Sequence, residues 1–418
     1  MNDKKCLKII GNKQVNGVIK TSGSKNAALP LIAASLFLKG ETILKNVPDI
    51  LDVRRMLEIL KHLNVKYQFK DNVLKIDSTN MEYKDLDVEV VKKLRGAYYY
   101  IPPLLKENSS LLFYQVGGCS FEKRPIDLHL DLIKSIGGKI TYNNSLYQIR
   151  INKFNNLHYT FKKKSLGATI NAILLGIKTQ LPTTIINYSI EPEVTCVIDF
   201  LKKAGLEIEK DDKSVSFHLK TPLKGIEYEI IPDRIEAETF GLLGLGLGRI
   251  GIFDFNKEHH LSFLKFLDEC KIVYTLEDNY LLINKEIINE PPNIKLDNYP
   301  SLSTDIGPIL LSFLLLQNKM FIIKDEIYPT RLNNLKFYKD MFYFNNYELL
   351  VNPIKRNKRN NVFYGSNLRD TMAYLYYALT HDGEYFIYGY EHLIRGYENI
   401  IDKLISLNCS IEVLDEED

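Results

Sequence analysis

The chain has 418 residues, 45% of them hydrophobic, and its 54 Lys plus Arg nearly cancel its 52 Asp plus Glu. That length exceeds the range in which one hydrophobic core keeps growing, so two domains of roughly 200 residues are expected. The balanced charge excludes a global field for nucleic acid or membrane, and any anion must be held by local clusters.

Cys6, Cys119, Cys196, Cys270 and Cys409 are widely spaced and odd in number, with no Cys-x-x-Cys pair. They suggest neither a disulfide framework nor a zinc site and fit a reducing cytoplasm. No apolar run reaches bilayer length, and the N-terminus enters a strand-like segment without a signal-peptide pattern, so a soluble protein is expected. The abundance of Lys, Asn, Ile and Tyr without Trp makes surface runs such as Lys162-Lys163-Lys164 and Lys355-Arg356-Asn357-Lys358-Arg359 read mostly as solvated.

In chain order, Thr21-Ser22-Gly23-Ser24-Lys25-Asn26-Ala27-Ala28-Leu29-Pro30 takes a glycine turn into an apolar helix. A helix start presents unpaired backbone N–H groups, so an anion can dock there with Lys25 supplying a full charge; a solvated lysine at a helix end fits the same residues. A proline-led turn, Pro48 to Val53, then opens a second, amphipathic helix through Met56 to Leu60. This order recurs with a period of about 70 residues, longer than ordinary solenoid repeats. Apolar first helices are expected over Ala27–Leu38, Tyr98–Leu105, Ala168–Ile177, Thr239–Leu247, Ile306–Leu316 and Met372–Leu379, and their lack of a polar face predicts burial among other elements. One-sided second helices are expected over Arg124–Ile136, Glu193–Ala204, His259–Glu269, Pro329–Met341 and Gly396–Leu407. Six βαβαββ-like units, three and three, would account for the length, and generic α/β alternation fits the same pattern.

Gly117-Gly118-Cys119 followed by Arg124-Pro125-Ile126-Asp127-Leu128-His129 describes a loop bearing a thiol close to an anion site. A thiol of pKa about 8.5 can donate a proton at neutral pH, while a neighbouring arginine favours the nucleophilic thiolate; the residues allow both roles, and a buried inert cysteine as well. His129 reads as a helix residue rather than a catalyst.

Together, Ser24 to Pro30, the Cys119 loop with Arg124 to His129, and Arg395-Gly396-Tyr397-Glu398 resemble the UDP-N-acetylglucosamine 1-carboxyvinyltransferase family of enolpyruvyl transferases. Leu94-Arg95-Gly96-Ala97, Ser165 to Thr169, Glu191-Pro192-Glu193, Pro232 to Glu236, Thr304-Asp305 and Leu368-Arg369 extend the likeness nearly end to end. The resemblance implies a two-domain inside-out α/β barrel of six βαβαββ repeats, with residues 22–231 as the first domain and 1–21 with 232–418 as the second. It implies transfer of the enolpyruvyl group of phosphoenolpyruvate to the 3′-hydroxyl of UDP-N-acetylglucosamine with release of phosphate, using no cofactor and no metal. The alternatives are a related transferase acting on 3-phosphoshikimate or another nucleotide, and a UDP-sugar-binding relative without turnover.

By the same resemblance, Lys25, Arg124 and Arg395 bind phosphoenolpyruvate, with Arg369 near the same pocket. Asp305 accepts the proton of the sugar hydroxyl, and Cys119 donates a proton to the methylene carbon or forms a covalent adduct. Asn26 and Asp305 contact the glucosamine, with Arg95 and Arg331 nearby. Arg124, Pro125, Ile126, Asp127 and Leu128 line the uridine pocket with Lys163, Ser165, Leu166 and Gly167. Charge makes these residue types necessary, because one cation about 4 Å from an anion is worth roughly 4 kcal/mol at an effective dielectric near 20 and the donor carries both phosphate and carboxylate. Departures from the family pattern gather in the C-terminal half: Tyr328-Pro329-Thr330 before Arg331, Ile394 before Arg395, Ser303 in place of a proline, and Ile306-Gly307-Pro308 after Asp305.

Overall fold

A computed structural model describes residues 5–117, 126–288, 292–317, 319–333, 335, 338, 342–345, 348–351 and 361–415. The apolar first helices are buried along nearly their whole length. They run over Lys25–Ala34, Leu166–Thr179, Arg234–Leu247, Gly307–Leu316 and Leu368–Thr380. The second helices, Leu51–His62, Asp127–Ser135, Pro192–Lys203, Leu261–Glu269 and Ile400–Ser406, bury one face each, as their three-and-four spacing requires.

Among the described residues the strands form five four-stranded sheets and one three-stranded sheet. In the four-stranded sheets one edge pair is parallel and the remaining pairs are antiparallel. Leu157–Thr160 runs parallel to Thr183–Ile186, for example, which pairs antiparallel with Ser214–Phe217 and that in turn with Ile208–Lys210. A parallel pair needs a long crossover, and helix Leu166–Thr179 supplies it. The same order recurs in Ile294–Leu296, Phe321–Asp325, Glu348–Val351 and Phe342–Asn345.

The described residues from Gly23 to Ile231 form one compact unit, and those up to Ser22 with those from Pro232 onward form the other. Two sheets of the second unit are completed by the start of the chain. Val15–Lys20 lies parallel to Gly248–Phe253, and Lys5–Ile10 sits between Glu384–Tyr388 and Ser410–Asp415. In the first unit the late strand Glu227–Glu229 plays the corresponding part beside Glu41–Lys45. Asp233 N–H donates to Ser22 O at 2.8 Å, and Ser22 N–H donates to the buried Glu236 carboxylate at 2.9 Å. Lys403 Nζ pairs with that carboxylate and donates to Ser22 Oγ at 2.7 Å.

Within the second unit, helices Arg234–Leu247, Gly307–Leu316 and Leu368–Thr380 pack on one another. Tyr376 Oη donates to Leu242 O at 3.0 Å, and a Cβ at Gly246 would fall 2.1 Å from Tyr376 Oη, so glycine permits this close approach. No helix among the described residues is long and apolar enough to cross a membrane.

Three elements differ from the expected ones. Among the described residues of the helix expected over Pro329–Met341, only Thr330–Asn333 forms an α turn and Leu335 is not helical. Tyr98–Leu105 is a 3₁₀ segment, Arg95–Tyr100, followed by a single α turn, Ile101–Leu104. Pro102 and Pro103 have no N–H, so the carbonyls four residues earlier, at Tyr98 and Tyr99, cannot receive the bonds an α-helix would give them. The last second helix starts at Ile400 rather than Gly396, because Asn399 adopts a left-handed backbone (φ 48°).

Ile9 is fully buried on the interior strand Lys5–Ile10. Ile9→Ala is expected to destabilise the second unit by about 2–5 kcal/mol, measured by chemical denaturation.

Candidate functional site

In the first unit Lys25 opens helix Lys25–Ala34, and its Nζ lies 2.7 Å from Asp52 Oδ2. Asp52 stands in the first turn of helix Leu51–His62 and is only 2% exposed. Arg55, one turn on, approaches Asp52 Oδ1 at 3.3 Å and donates to Lys93 O at 3.0 Å, two residues before Arg95. A Cβ at Gly96 would fall 2.9 Å from Leu29 Cδ1, so the Arg95 segment lies against the Lys25 helix. Asn26 is half-buried beside Lys25. Ser24, the residue before the helix, has a buried hydroxyl with no hydrogen-bond partner among the described residues.

Ser165 caps helix Leu166–Thr179 by accepting from Ala168 N–H at 3.4 Å. Gly167 faces Tyr98, whose Oη would lie 2.4 Å from a Cβ there. The Tyr98 ring packs on His129 with centroids 4.1 Å apart, and the Arg95 guanidinium lies 5.9 Å from the Tyr98 ring centroid. Tyr98 and His129 thus join Arg95, the Ile126–Leu128 segment and Ser165–Gly167. Ile126 is buried, Leu128 half-buried and Asp127 exposed. Lys163 is exposed two residues before Ser165. Cys119, Arg124 and Pro125 lie outside the described residues.

In the second unit Asp305, just before helix Gly307–Leu316, is held by two arginines. Its Oδ1 lies 2.6 Å from Arg331 and its Oδ2 2.9 Å from Arg369. Arg331 also donates to Thr304 Oγ1 at 3.2 Å, and Thr304 donates to the buried Asp325 carboxylate. Arg369 donates to Tyr397 Oη at 3.0 Å, which bonds Thr239 Oγ1 at 3.1 Å. Asn367 and Asp370 form a capping box that fixes the helix start carrying Arg369. A Cβ at Gly396 would fall 2.4 Å from Leu368 Cδ2, so the Arg395–Tyr397 turn rests on that same start. Asp305, Arg331 and Arg369 are therefore in direct contact, and Arg395 adjoins them through its chain neighbours.

Burial works against the charge on Arg369, but Asp305, with Tyr397 and Asp233, more than offsets it and raises the guanidinium pKa. The described thiols are buried. Burial pushes Cys196 up to about 11 and Cys270 and Cys409 each up to about 12, so all three are poor nucleophiles. The C-terminal departures are accommodated locally. Ser303 Oγ accepts from Asp305 N–H at 3.1 Å, Pro308 occupies the first turn of its helix where no N–H is needed, and the Tyr328 ring lies 4.9 Å from the Arg331 guanidinium.

No motif marks Asp52, Arg55, Tyr98 or Asn171 as part of a site, and in the sequence His129 reads as an ordinary helix position. Asp52 and Arg55 carried a weak signal, since residues three apart on a helix share a face. Asn171 carried none, being one polar position inside an apolar run.

The repeat architecture is that of the enolpyruvyl transferases. The enolpyruvyl transferase NikO from Streptomyces tendae matches it with a TM-score of 0.87 over 99% of both chains at 18% identity. EPSP synthase from Acinetobacter baumannii matches with a TM-score of 0.73, covering 98% of this chain and 100% of that one at 13% identity. The model of the EPSP synthase (3-phosphoshikimate 1-carboxyvinyltransferase) family matches residues 9–296, and the chain belongs to that family. Relatives named UDP-N-acetylglucosamine 1-carboxyvinyltransferase include those of Wolbachia pipientis wMel, 31% identical over 96% of this chain and 97% of the relative, and Kosmotoga olearia, 30% identical over 97% and 98%. That of Thermotoga petrophila is 29% identical over 98% and 99%.

Burial, and then Arg95, lower the His129 pKa from 6.5 to about 3, and burial, with His260 and Arg234, lowers His259 to about 4. The folded chain then binds fewer protons than the unfolded chain below 6.5. Stability is expected to fall as pH drops through this range, by up to about 1.4 kcal/mol per pH unit for each group. Denaturant titrations should show a shallower decline in a His129→Phe variant.

Proposed function

We propose that this chain transfers the enolpyruvyl group of phosphoenolpyruvate to the 3′-hydroxyl of UDP-N-acetylglucosamine and releases phosphate, the first committed step of peptidoglycan synthesis, in the cytoplasm. The near full-length likeness to relatives of that name supports the choice of acceptor. The observation that carries the chemistry is the Asp305 carboxylate gripped by Arg331 and Arg369.

In this reading Asp305 takes the proton of the 3′-hydroxyl as its oxygen bonds to C2 of phosphoenolpyruvate. The methylene carbon C3 takes a proton from Cys119, giving a tetrahedral ketal. Return of a C3 proton to the Cys119 thiolate, with loss of phosphate from C2, restores the double bond as an enol ether. Lys25, Arg124, Arg369 and Arg395 are assigned to the phosphate and carboxylate of the donor, where guanidinium forks can bind in bidentate fashion. Asn26, Arg95 and Arg331 are assigned to the glucosamine side. Ile126 to Leu128, with Arg124, Pro125, Lys163 and Ser165 to Gly167, are assigned to the uridine diphosphate, whose charge suits the helix start at Leu166.

Phosphate release should require both phosphoenolpyruvate and UDP-N-acetylglucosamine. Release with 3-phosphoshikimate instead would transfer the activity to that acceptor, as the name of the matched family allows. Binding of the UDP-sugar with no release would leave a non-catalytic relative. Asp305→Asn is expected to lower kcat by about 10²–10⁴-fold, with the protein still folded and binding UDP-sugar.

The thiol-reactive epoxide fosfomycin should add once, at Cys119, and stop turnover, since the described cysteines are buried. Peptide mapping that finds the adduct elsewhere, or none, would contradict the role assigned to Cys119.

A further inference from the structure

The first unit contains a buried polar junction that the proposed chemistry does not use. Asn171 lies in the apolar helix Leu166–Thr179 and is 1% exposed. Its Nδ2 donates to Tyr98 O at 3.3 Å and lies 2.9 Å from His129 Nδ1. A backbone carbonyl can only accept, so the nitrogen of the Asn171 amide must face it. The second hydrogen on that nitrogen points at Nδ1, which must then carry a lone pair. His129 is therefore the neutral Nε2–H tautomer, since a proton on Nδ1 would set N–H against N–H. Burial and Arg95 favour the same neutral state.

This junction ties three segments together. Asn171 stands one helical turn beyond Gly167, His129 follows Ile126–Leu128, and Tyr98 follows Arg95. The stack of Tyr98 on His129 also sets how closely Gly167 can approach, since a Cβ at Gly167 would meet Tyr98 Oη at 2.4 Å and His129 Cε1 at 3.5 Å.

We propose that His129, neutral and accepting from Asn171, is a positioning residue that sets the spacing between the Ile126–Leu128 segment and the Ser165–Gly167 helix start, and with it the affinity for a uridine diphosphate group. The proposal rests on the assignment of those two segments to the nucleotide. Neither His129 nor Asn171 is assigned a contact with substrate.

The test compares the full-length wild type with His129→Phe, which keeps a stacking ring without nitrogens, with Asn171→Leu, and with His129→Asn, which restores an acceptor near the Nδ1 position. In His129→Phe and Asn171→Leu, the Kd for UDP and the KM for UDP-N-acetylglucosamine should rise about tenfold or more, while kcat and the KM for phosphoenolpyruvate stay within about twofold. His129→Asn should recover much of the loss. Imidazole ¹⁵N shifts of the wild type should show a bare Nδ1 and a protonated Nε2 from about pH 5 to 8, a readout that does not depend on the variants folding.

Unchanged UDP affinity in folded variants would overturn the positioning role and leave the functional reading intact. A wild type that binds no UDP would overturn both. Parallel losses of kcat, both KM values and melting temperature would reduce the junction to packing, and a protonated Nδ1 would overturn its basis.

Discussion

A helix that is apolar on nearly every face and buried along its length can place charge without a buried partner only at its ends. That constraint governs where function can sit in this chain. Lys25 and Asn26 open Lys25–Ala34, Leu166 and Gly167 open Leu166–Thr179, Asp305 lies two residues ahead of Gly307–Leu316, and Arg369 stands second in Leu368–Thr380. Arg95 opens the shortened 3₁₀ counterpart. The starts of buried helices carry unpaired N–H groups and the positive end of the macrodipole, so cationic side chains there reinforce a field that already favours anions. Phosphate, carboxylate and diphosphate are the groups such ends suit.

The polar residues that do enter the buried helices obey a second constraint, that each must find a partner or cost stability. Glu236 meets Lys403, Glu238 lies 3.2 Å from His260, Ser312 bonds Tyr338 at 2.9 Å, and Asn171 meets His129. These contacts join helices to distant parts of the same unit. Their geometry also restricts protonation, most clearly at His129, where one carbonyl fixes the amide and the amide fixes the imidazole.

Much of this organisation was legible because periodicity is a physical signal. Runs such as Ile170 to Ile177 and Ile309 to Leu316 have no polar stripe and can only be buried, whereas Ile198, Leu201 and Ala204 mark one face. Motif order points to the family, and Lys25, Arg95, Asp305 and Arg369 stand within those motifs. Pairings across the chain were less accessible. Nothing local to Lys25 names Asp52 as its partner, and His129 resembled any helix residue until Asn171 and Tyr98 were placed around it. The prolines at 102 and 103 carried a readable warning against a full helix, outweighed by the apolar run they interrupt.

The central claim is that substrate anions are held by the starts of the buried helices. Amide hydrogen exchange on the protein saturated with UDP-N-acetylglucosamine and phosphoenolpyruvate tests it most directly. The account predicts new protection at the first turns beginning at Lys25, Leu166, Gly307 and Leu368, with little change in the outer helices Leu51–His62, Pro192–Lys203 and Leu261–Glu269. Protection concentrated on those outer helices, or at the far ends of the buried ones, would contradict it.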